Sequence, residues 1–263
     1  MRALLMPRQS IPFEALILSA ALLGASEPAQ AATLDSTVAS AGQSLQRAWQ
    51  SDPLTRKIPF PPLVLLPAGE PLNQACPSST PAERDRGGLF CPAEGKVLLA
   101  RNQLEGALLV DEEAGISYRI AVSLGQAIQS LRPAEEEMGP QARNLQATCL
   151  GGLLLASGPA ATPKQREAIL KADMNAYAES AMDDYGEPRE RAYALLTGMG
   201  VTKSTCKAAS MSALAKGMVP DPDLLLSIKV ERGSSLKTAI NSQCRRPPTC
   251  PRLIEENYDV TLP

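Results

Sequence analysis

The chain has 263 residues, with 26 basic and 28 acidic side chains and no histidine. The lack of imidazole removes the commonest protein ligand for zinc and the usual general base of a serine hydrolase. The nearly balanced charge and an aromatic content of 3% provide neither a basic stripe nor a stacking surface, so composition argues against nucleic acid as a partner.

The N-terminus has the pattern of a secretory signal peptide. Arg2 and Arg8 form a positive n-region, residues 15–25 form a short apolar run, and Ala29-Gln30-Ala31 is a small-x-small cleavage site. Because the apolar run is short for a membrane span, we interpret residues 1–31 as a cleaved signal, with a retained anchor as the alternative. We therefore expect a secreted or periplasmic protein with no stable membrane span after signal removal.

Residues 32–62 are predicted to form an N-terminal helix and a proline-rich linker. Apolar residues recur at near-helical spacing over residues 34–50, and Ser36 or Thr37 is the expected N-cap. The apolar run at residues 63–66 is bounded by prolines and predicts a strand. Residues 67–88 are rich in Pro, Ser and Gly and predict a loop.

The middle of the chain changes from strand to helical patterns. Residues 89–91 and 96–99 predict two short strands joined by a turn at Glu94-Gly95. Five helices are expected after them, over residues 111–132, 141–156, 163–182, 188 to 198 or 200, and 203–216. Residues 217–263 are a proline-rich C-terminal extension, with one short helix expected near residues 235–242 and otherwise extended chain. The predicted fold class is mainly α with a small β-hairpin element (α+β).

Six cysteines in an exported chain indicate disulfides. They are Cys76, Cys91, Cys149, Cys206, Cys244 and Cys250. Several pairings are possible. The simplest is sequential and joins Cys76 to Cys91, Cys149 to Cys206 and Cys244 to Cys250. A thiolate metal site is the alternative, but the chain has no Cys-x-x-Cys.

A set of motifs occurs in a fixed order between residues 63 and 207. They are Phe90-Cys91-Pro92-Ala93, Lys96-Val97-Leu98-Leu99, Gly125, Gln129, Leu145-Gln146-Ala147-x-Cys149-Leu150-x-Gly152, Asp183-Asp184-x-Gly186, Arg191, Gly198 and Cys206. Together, in this order, they resemble the neutral zinc metallopeptidase family, an exported or membrane-anchored group. The resemblance implies a zincin-like helical domain over residues 63–216, stapled by disulfides.

The resemblance also assigns positions to the metal site. In that family two histidines four residues apart on one helix bind zinc, a glutamate beside the first acts as general base, and a following helix supplies the third ligand. The histidine positions correspond to Val122 and Gln126, the base to Ser123, and the acidic positions of the second helix to Asn144 and Thr148. Valine cannot bind a metal ion, and neutral oxygens suit zinc poorly. We therefore expect no catalytic residue, no metal and no cofactor.

The expected function follows from this substitution pattern. The chain is predicted to be a catalytically inactive metallopeptidase-like protein, a pseudoenzyme that binds a peptide or protein in the former active-site cleft. Gln126 and Asn144 are expected to hydrogen-bond across that cleft. The alternatives are a hydrolase with a site that does not use zinc and a structural envelope protein.

Overall fold

The computed structural model describes residues 33–77, 87–131, 137–176, 182–232 and 258–261. All of them belong to one unit, Ala32–Pro263. The helices in the described part of the chain are α1 (Leu34–Ser51), α2 (Leu72–Ala75), α3 (Arg101–Leu131), α4 (Pro140–Ala156), α5 (Pro163–Met174), α6 (Met182–Tyr185), α7 (Pro188–Gly198), α8 (Ala208–Leu214) and α9 (Pro222–Ser227). The strands are β1 (Leu63–Leu65), β2 (Gly88–Cys91), β3 (Lys96–Leu99), β4 (Lys229–Arg232) and β5 (Tyr258–Thr261).

The mainly helical α+β class is confirmed. The predicted signal peptide at residues 1–31, the predicted helix near residues 235–242, and the Cys244–Cys250 pair lie outside the described residues. Among the described residues, no helix combines the length and the apolar character required to cross a bilayer.

The first helix begins at Leu34, as its apolar spacing predicts, but its N-cap is not the expected residue. The N-cap is Thr33, and its hydroxyl accepts a hydrogen bond from the Ser36 amide at 3.3 Å. The prediction of a cap at Ser36 or Thr37 is therefore wrong, because both residues already lie inside the first turn. At the other end, the Trp49 indole N–H donates to the Ile58 carbonyl at 2.7 Å and anchors the proline-rich linker against the helix.

The predicted strands form a three-stranded sheet with the order β1-β3-β2. β2 and β3 form the expected antiparallel hairpin, while β1 lies parallel to β3 on its other side. The predicted loop at residues 67–88 contains the short helix α2. The Cys76–Cys91 disulfide joins the end of α2 to β2, which confirms the first pair of the sequential pattern.

The C-terminal part is more regular than its proline content suggests. α9 begins at Pro222, the first helical position, directly after Asp221. Proline is favoured at this position because its missing N–H would have no partner in the first turn, so Pro222 is a local signal for a helix start. β4 then pairs antiparallel with β5, with Val230 opposite Val260.

The long helix α3 contains a break where the sequence pattern suggested its start. Glu112 has φ 52° and ψ −141°, which separates residues 101–111 from residues 113–131. This conformation costs a residue with a Cβ about 1–3 kcal/mol. The helical period predicted from Asp111 therefore identified only the second half of α3.

Glycines bring the backbones of three helices into contact. A Cβ on Gly125 of α3 would lie 2.0 Å from the Ala147 carbonyl oxygen of α4. A Cβ on Gly198 of α7 would lie 1.9 Å from the Cys149 carbonyl oxygen. No side chain fits at such distances, so α3, α4 and α7 form a tightly packed centre. The Cys149–Cys206 disulfide, the second predicted pair, joins α4 to the segment that follows α7.

Helix contact at Gly125 gives a direct stability test. We expect Gly125→Ala to lower the free energy of unfolding by about 2–3 kcal/mol or more, because the added methyl group must push two backbones apart. The matched control is Gly139→Ala at the N-cap of α4, where a Cβ meets no atom within 4 Å and φ is −62°. This control should cost less than about 1 kcal/mol. Urea unfolding of both variants measures the difference, and equal losses would contradict the close contact.

Candidate functional site

Four of the five positions assigned by the resemblance are buried. Val122 and Ser123 are each 1% exposed, Thr148 is 2% exposed and Gln126 is 8% exposed. Asn144 is half-buried and is the one member of the set that reaches the surface. A peptide cannot contact the other four side chains in this conformation.

The space between the two helices at these positions is filled by backbone. A Cβ on Gly151 of α4 would lie 2.8 Å from the Ala121 carbonyl oxygen and 3.0 Å from the Val122 nitrogen of α3. Val122 therefore lies directly beside a helix-to-helix contact. The Gly125 contact with α4 lies about one turn further along α3.

Gln126 and Ser123 face the edge strand of the sheet. The Gln126 side-chain oxygen accepts a hydrogen bond from the Phe90 amide of β2 at 3.1 Å in a buried setting. The Ser123 hydroxyl donates to the Arg119 carbonyl at 2.9 Å, and a Cβ on Gly88 of β2 would lie 2.8 Å from this hydroxyl oxygen. Among the described strands none pairs with the outer side of β2, so Gln126 supplies an acceptor that a further strand would otherwise provide.

Asn144 and Thr148 have different neighbours. The Asn144 amide donates to the Asp184 carbonyl at 2.7 Å, which joins α4 to α6. The Thr148 hydroxyl donates back to the Asn144 carbonyl at 3.0 Å. The expected bond between Gln126 and Asn144 is replaced by these two separate partners. The five positions therefore do not converge on one site: Ser123 and Gln126 lie against β2, Asn144 bonds to α6, Thr148 bonds within α4, and Val122 lies beside the α3–α4 contact.

A buried charged network lies elsewhere, and sequence reasoning missed it. Asp173 of α5 is 0% exposed, and its carboxylate accepts a hydrogen bond from the Tyr118 hydroxyl of α3 at 2.5 Å. Arg191 of α7 approaches the other carboxylate oxygen, with its Nε at 3.6 Å. Burial raises the pKa of Asp173, while the Arg191 charge and the Tyr118 hydrogen bond oppose that rise. No local pattern distinguishes Asp173 from a surface aspartate on α5.

A second, half-buried carboxyl group extends this network. Asp111 accepts a hydrogen bond from the Asn175 amide at 2.7 Å. Burial raises the pKa of Asp111, while the Asn175 bond and the Arg119 charge oppose the rise. Within the described ranges, no group of three or more His, Cys, Asp and Glu side chains is placed to hold a metal ion. The network therefore connects α3, α5 and α7 and gives no indication of a metal site.

A third polar cluster lies at the N-terminus of α7. Glu187 is the N-cap, and its amide donates to a Glu190 carboxylate oxygen at 2.9 Å. The same oxygen accepts from the Gln141 amide of α4 at 2.8 Å. Burial raises the pKa of Glu190, and the nearby Glu187 charge adds to the rise. The hydrogen bonds from the Glu187 backbone amide and from the Gln141 side chain oppose it. The cluster is a helix cap that also joins α7 to α4.

Comparison of the chain with protein-family models, with curated proteins and with solved structures found no match. The resemblance to the neutral zinc metallopeptidases therefore stays a prediction from the motifs.

The Gln126–Phe90 bond predicts a cost for an apolar replacement. We expect Gln126→Leu to lower the free energy of unfolding by about 1–3 kcal/mol, because it leaves a buried amide N–H without an acceptor. The matched control is Gln129→Leu on the same helix, where the side chain is half-buried and its partners can turn to water. It should cost less than about 1 kcal/mol. Denaturant unfolding measures the stability of both variants. An unchanged free energy of unfolding for Gln126→Leu would show that the bond does not hold the sheet edge.

The raised pKa of Glu190 predicts a pH effect on stability. A carboxyl group that holds its proton more tightly when folded contributes most at acidic pH and loses that contribution as the pH rises through its folded pKa. Glu190→Gln stays neutral and keeps an acceptor oxygen. We expect the variant to gain stability relative to the parent chain from about pH 4 to about pH 7, by less than about 1 kcal/mol because the group is partly solvated. Urea unfolding at both pH values is the measurement, and a relative loss at the higher pH would contradict the shift.

Proposed function

We propose that the chain is an exported, catalytically inactive metallopeptidase-like protein that acts by binding a peptide or protein. The observation that carries this proposal is the closure of the helix pair that bears the family-like motifs. The positions for the two histidines and the base hold Val122, Gln126 and Ser123, which are at most 8% exposed. A hydrolytic metal site needs an open coordination position for water or substrate, and closed packing of neutral side chains does not provide one.

The replacement residues also support the proposal through their present roles. Gln126 binds the Phe90 amide and Asn144 binds the Asp184 carbonyl, so both side chains satisfy backbone groups. An empty site that kept its carboxylates would leave buried charges without partners, at a large cost. Neutral hydrogen-bonding residues remove that cost and let the two helices pack.

Export is supported by the disulfides and by the signal pattern. The structure contains Cys76–Cys91 and Cys149–Cys206, and such bonds persist in oxidising compartments such as the periplasm and the extracellular space. In this proposal disulfides and packing replace the metal as the stabilising element.

The proposed ligand binds beside Asn144, where the resembling helices reach the surface. Asn144 is half-buried next to the exposed Asp184, and the half-buried Gln141 lies one turn before it on α4. A bound segment at this position would cover the outer end of the α4–α6 contact. The four buried positions would support this surface without touching the ligand.

Metal analysis of the oxidised mature chain tests the loss of activity. We expect no stoichiometric zinc after purification, no peptide cleavage with added zinc, and the same melting temperature with excess zinc as with a chelator, because a ligand that does not bind the folded state cannot stabilise it. The engineered chain V122H/S123E/Q126H/N144E should be less stable and should bind zinc weakly, since new side chains must enter a closed contact.

Two outcomes would refute or redirect the proposal. Tight zinc in the natural chain together with peptide cleavage would refute it. Turnover that persists in the presence of chelator would instead favour a hydrolase with a site that does not use zinc. A peptide library can be panned against the natural chain and against the Asp184→Lys variant. Equal capture of peptides by the two chains would exclude the surface beside Asn144 as the binding site.

A further inference from the structure

The break in α3 is the most strained backbone feature in the described chain. Glu112 is the one residue other than glycine with a positive φ among the described residues. Its φ of 52° and ψ of −141° suit glycine and are disfavoured for a residue with a Cβ. Such a conformation persists only where surrounding contacts enforce it.

Two contacts enforce the break. The Asp111 carboxylate accepts a hydrogen bond from the Asn175 amide at 2.7 Å, and Asn175 is the C-cap of α5. On the other side of the break, a Cβ on Gly115 would lie 2.9 Å from the Ala107 carbonyl oxygen, so the two halves of α3 approach closely. Asp111, directly before the break, is thus tied to α5, while Gly115, three residues after the break, packs against Ala107 in the first half of the helix.

The two halves of α3 differ strongly in how much of their surface is buried against the rest of the protein. From residue 115 to residue 128 every residue is buried. In residues 101–111, which we call the arm, the buried apolar side chains are Leu104 and Ala107, while Leu109 is 44% exposed. The far end of the arm is held by an ion pair between Arg101 and Asp35, and exposed pairs of this kind contribute little.

We propose that Glu112 is a strained hinge and that the Asp111–Asn175 hydrogen bond is its latch. When the latch breaks, relief of the backbone strain favours an outward movement of the arm as a unit. The second half of α3 and its contacts with α4 stay in place. The movement exposes Leu104 and Ala107, which are buried while the latch is closed. This inference does not rest on the proposed function, because it concerns the arm and not the motif-bearing half of the helix.

The latch is tested by hydrogen–deuterium exchange on the full oxidised chain. We expect Asp111→Ala to accelerate amide exchange in residues 101–111 by about 10-fold or more, and to leave exchange in α4 unchanged. Asp111→Asn keeps a side-chain oxygen for the Asn175 amide, so its effect should be smaller, about 3-fold or less. Unchanged exchange in the arm of Asp111→Ala would overturn the latch. An equal acceleration in the arm and in α4 would also overturn it, because it would show global unfolding.

The hinge is tested separately at Glu112. Glycine adopts a positive φ without strain, so Glu112→Gly should slow exchange in the arm by about 5- to 10-fold. Glu112→Ala removes the same carboxylate but keeps the Cβ, so it should exchange at the rate of the parent chain. Equal effects of the two variants, or no effect of Glu112→Gly, would overturn the hinge. These variants leave Asp111 intact, so the test holds even if the Asp111 variants fail to fold.

Discussion

Direct backbone contact among α3, α4 and α7 is the constraint on which the rest of the structure depends. Gly125 and Gly198 lie against carbonyl oxygens of the neighbouring helix, at distances that no side chain permits. Close packing of this kind gains dispersion contacts along the whole interface. It also removes the space between α3 and α4. A polar side chain near the contact must therefore either find a hydrogen-bond partner inside the protein or point to the margin of the helix interface.

Polar residues at the margin meet this requirement by binding backbone groups. Gln126 accepts from the Phe90 amide, Asn144 donates to the Asp184 carbonyl, and Gln146 donates to the Cys206 carbonyl at 3.0 Å. Each bond connects a helix in the centre to a peripheral element, namely β2, α6 or the segment after α7. Because unpaired buried backbone groups are costly, these amides hold the periphery in register with the centre. Gln126 and Asn144 occupy positions where the family resemblance places metal ligands, which links the proposed loss of metal to the architecture.

Disulfides and the buried charges stabilise the fold in different ways. Cys76–Cys91 and Cys149–Cys206 close segments with sequence separations of 15 and 57 residues. In the chain-entropy model these loops correspond to about 3 and about 4 kcal/mol. The Asp173–Arg191 pair adds little net stability, because burial of both charges offsets much of their attraction. The pair instead specifies the arrangement of the helices. If α5 and α7 docked differently on α3, one charge would be buried without its partner.

Local patterns in the sequence predicted the elements whose causes are local. Apolar spacing identified most of the helices, short apolar runs bounded by turn residues identified β1 to β3, and the sequential cysteine pattern identified both described disulfides. Prediction failed where local signals compete: Thr33, Ser36 and Thr37 can each cap the first helix, and prolines near α9 favour both extended chain and a helix start. The sequence alone thus determined the helical class, the hairpin and the lack of imidazole chemistry. The parallel pairing of β1 with β3, the break at Glu112 and the burial of Asp173 beside Tyr118, 55 residues away, were decided by the tertiary structure. These features depend on contacts between distant segments, and no periodicity within a single segment encodes such contacts.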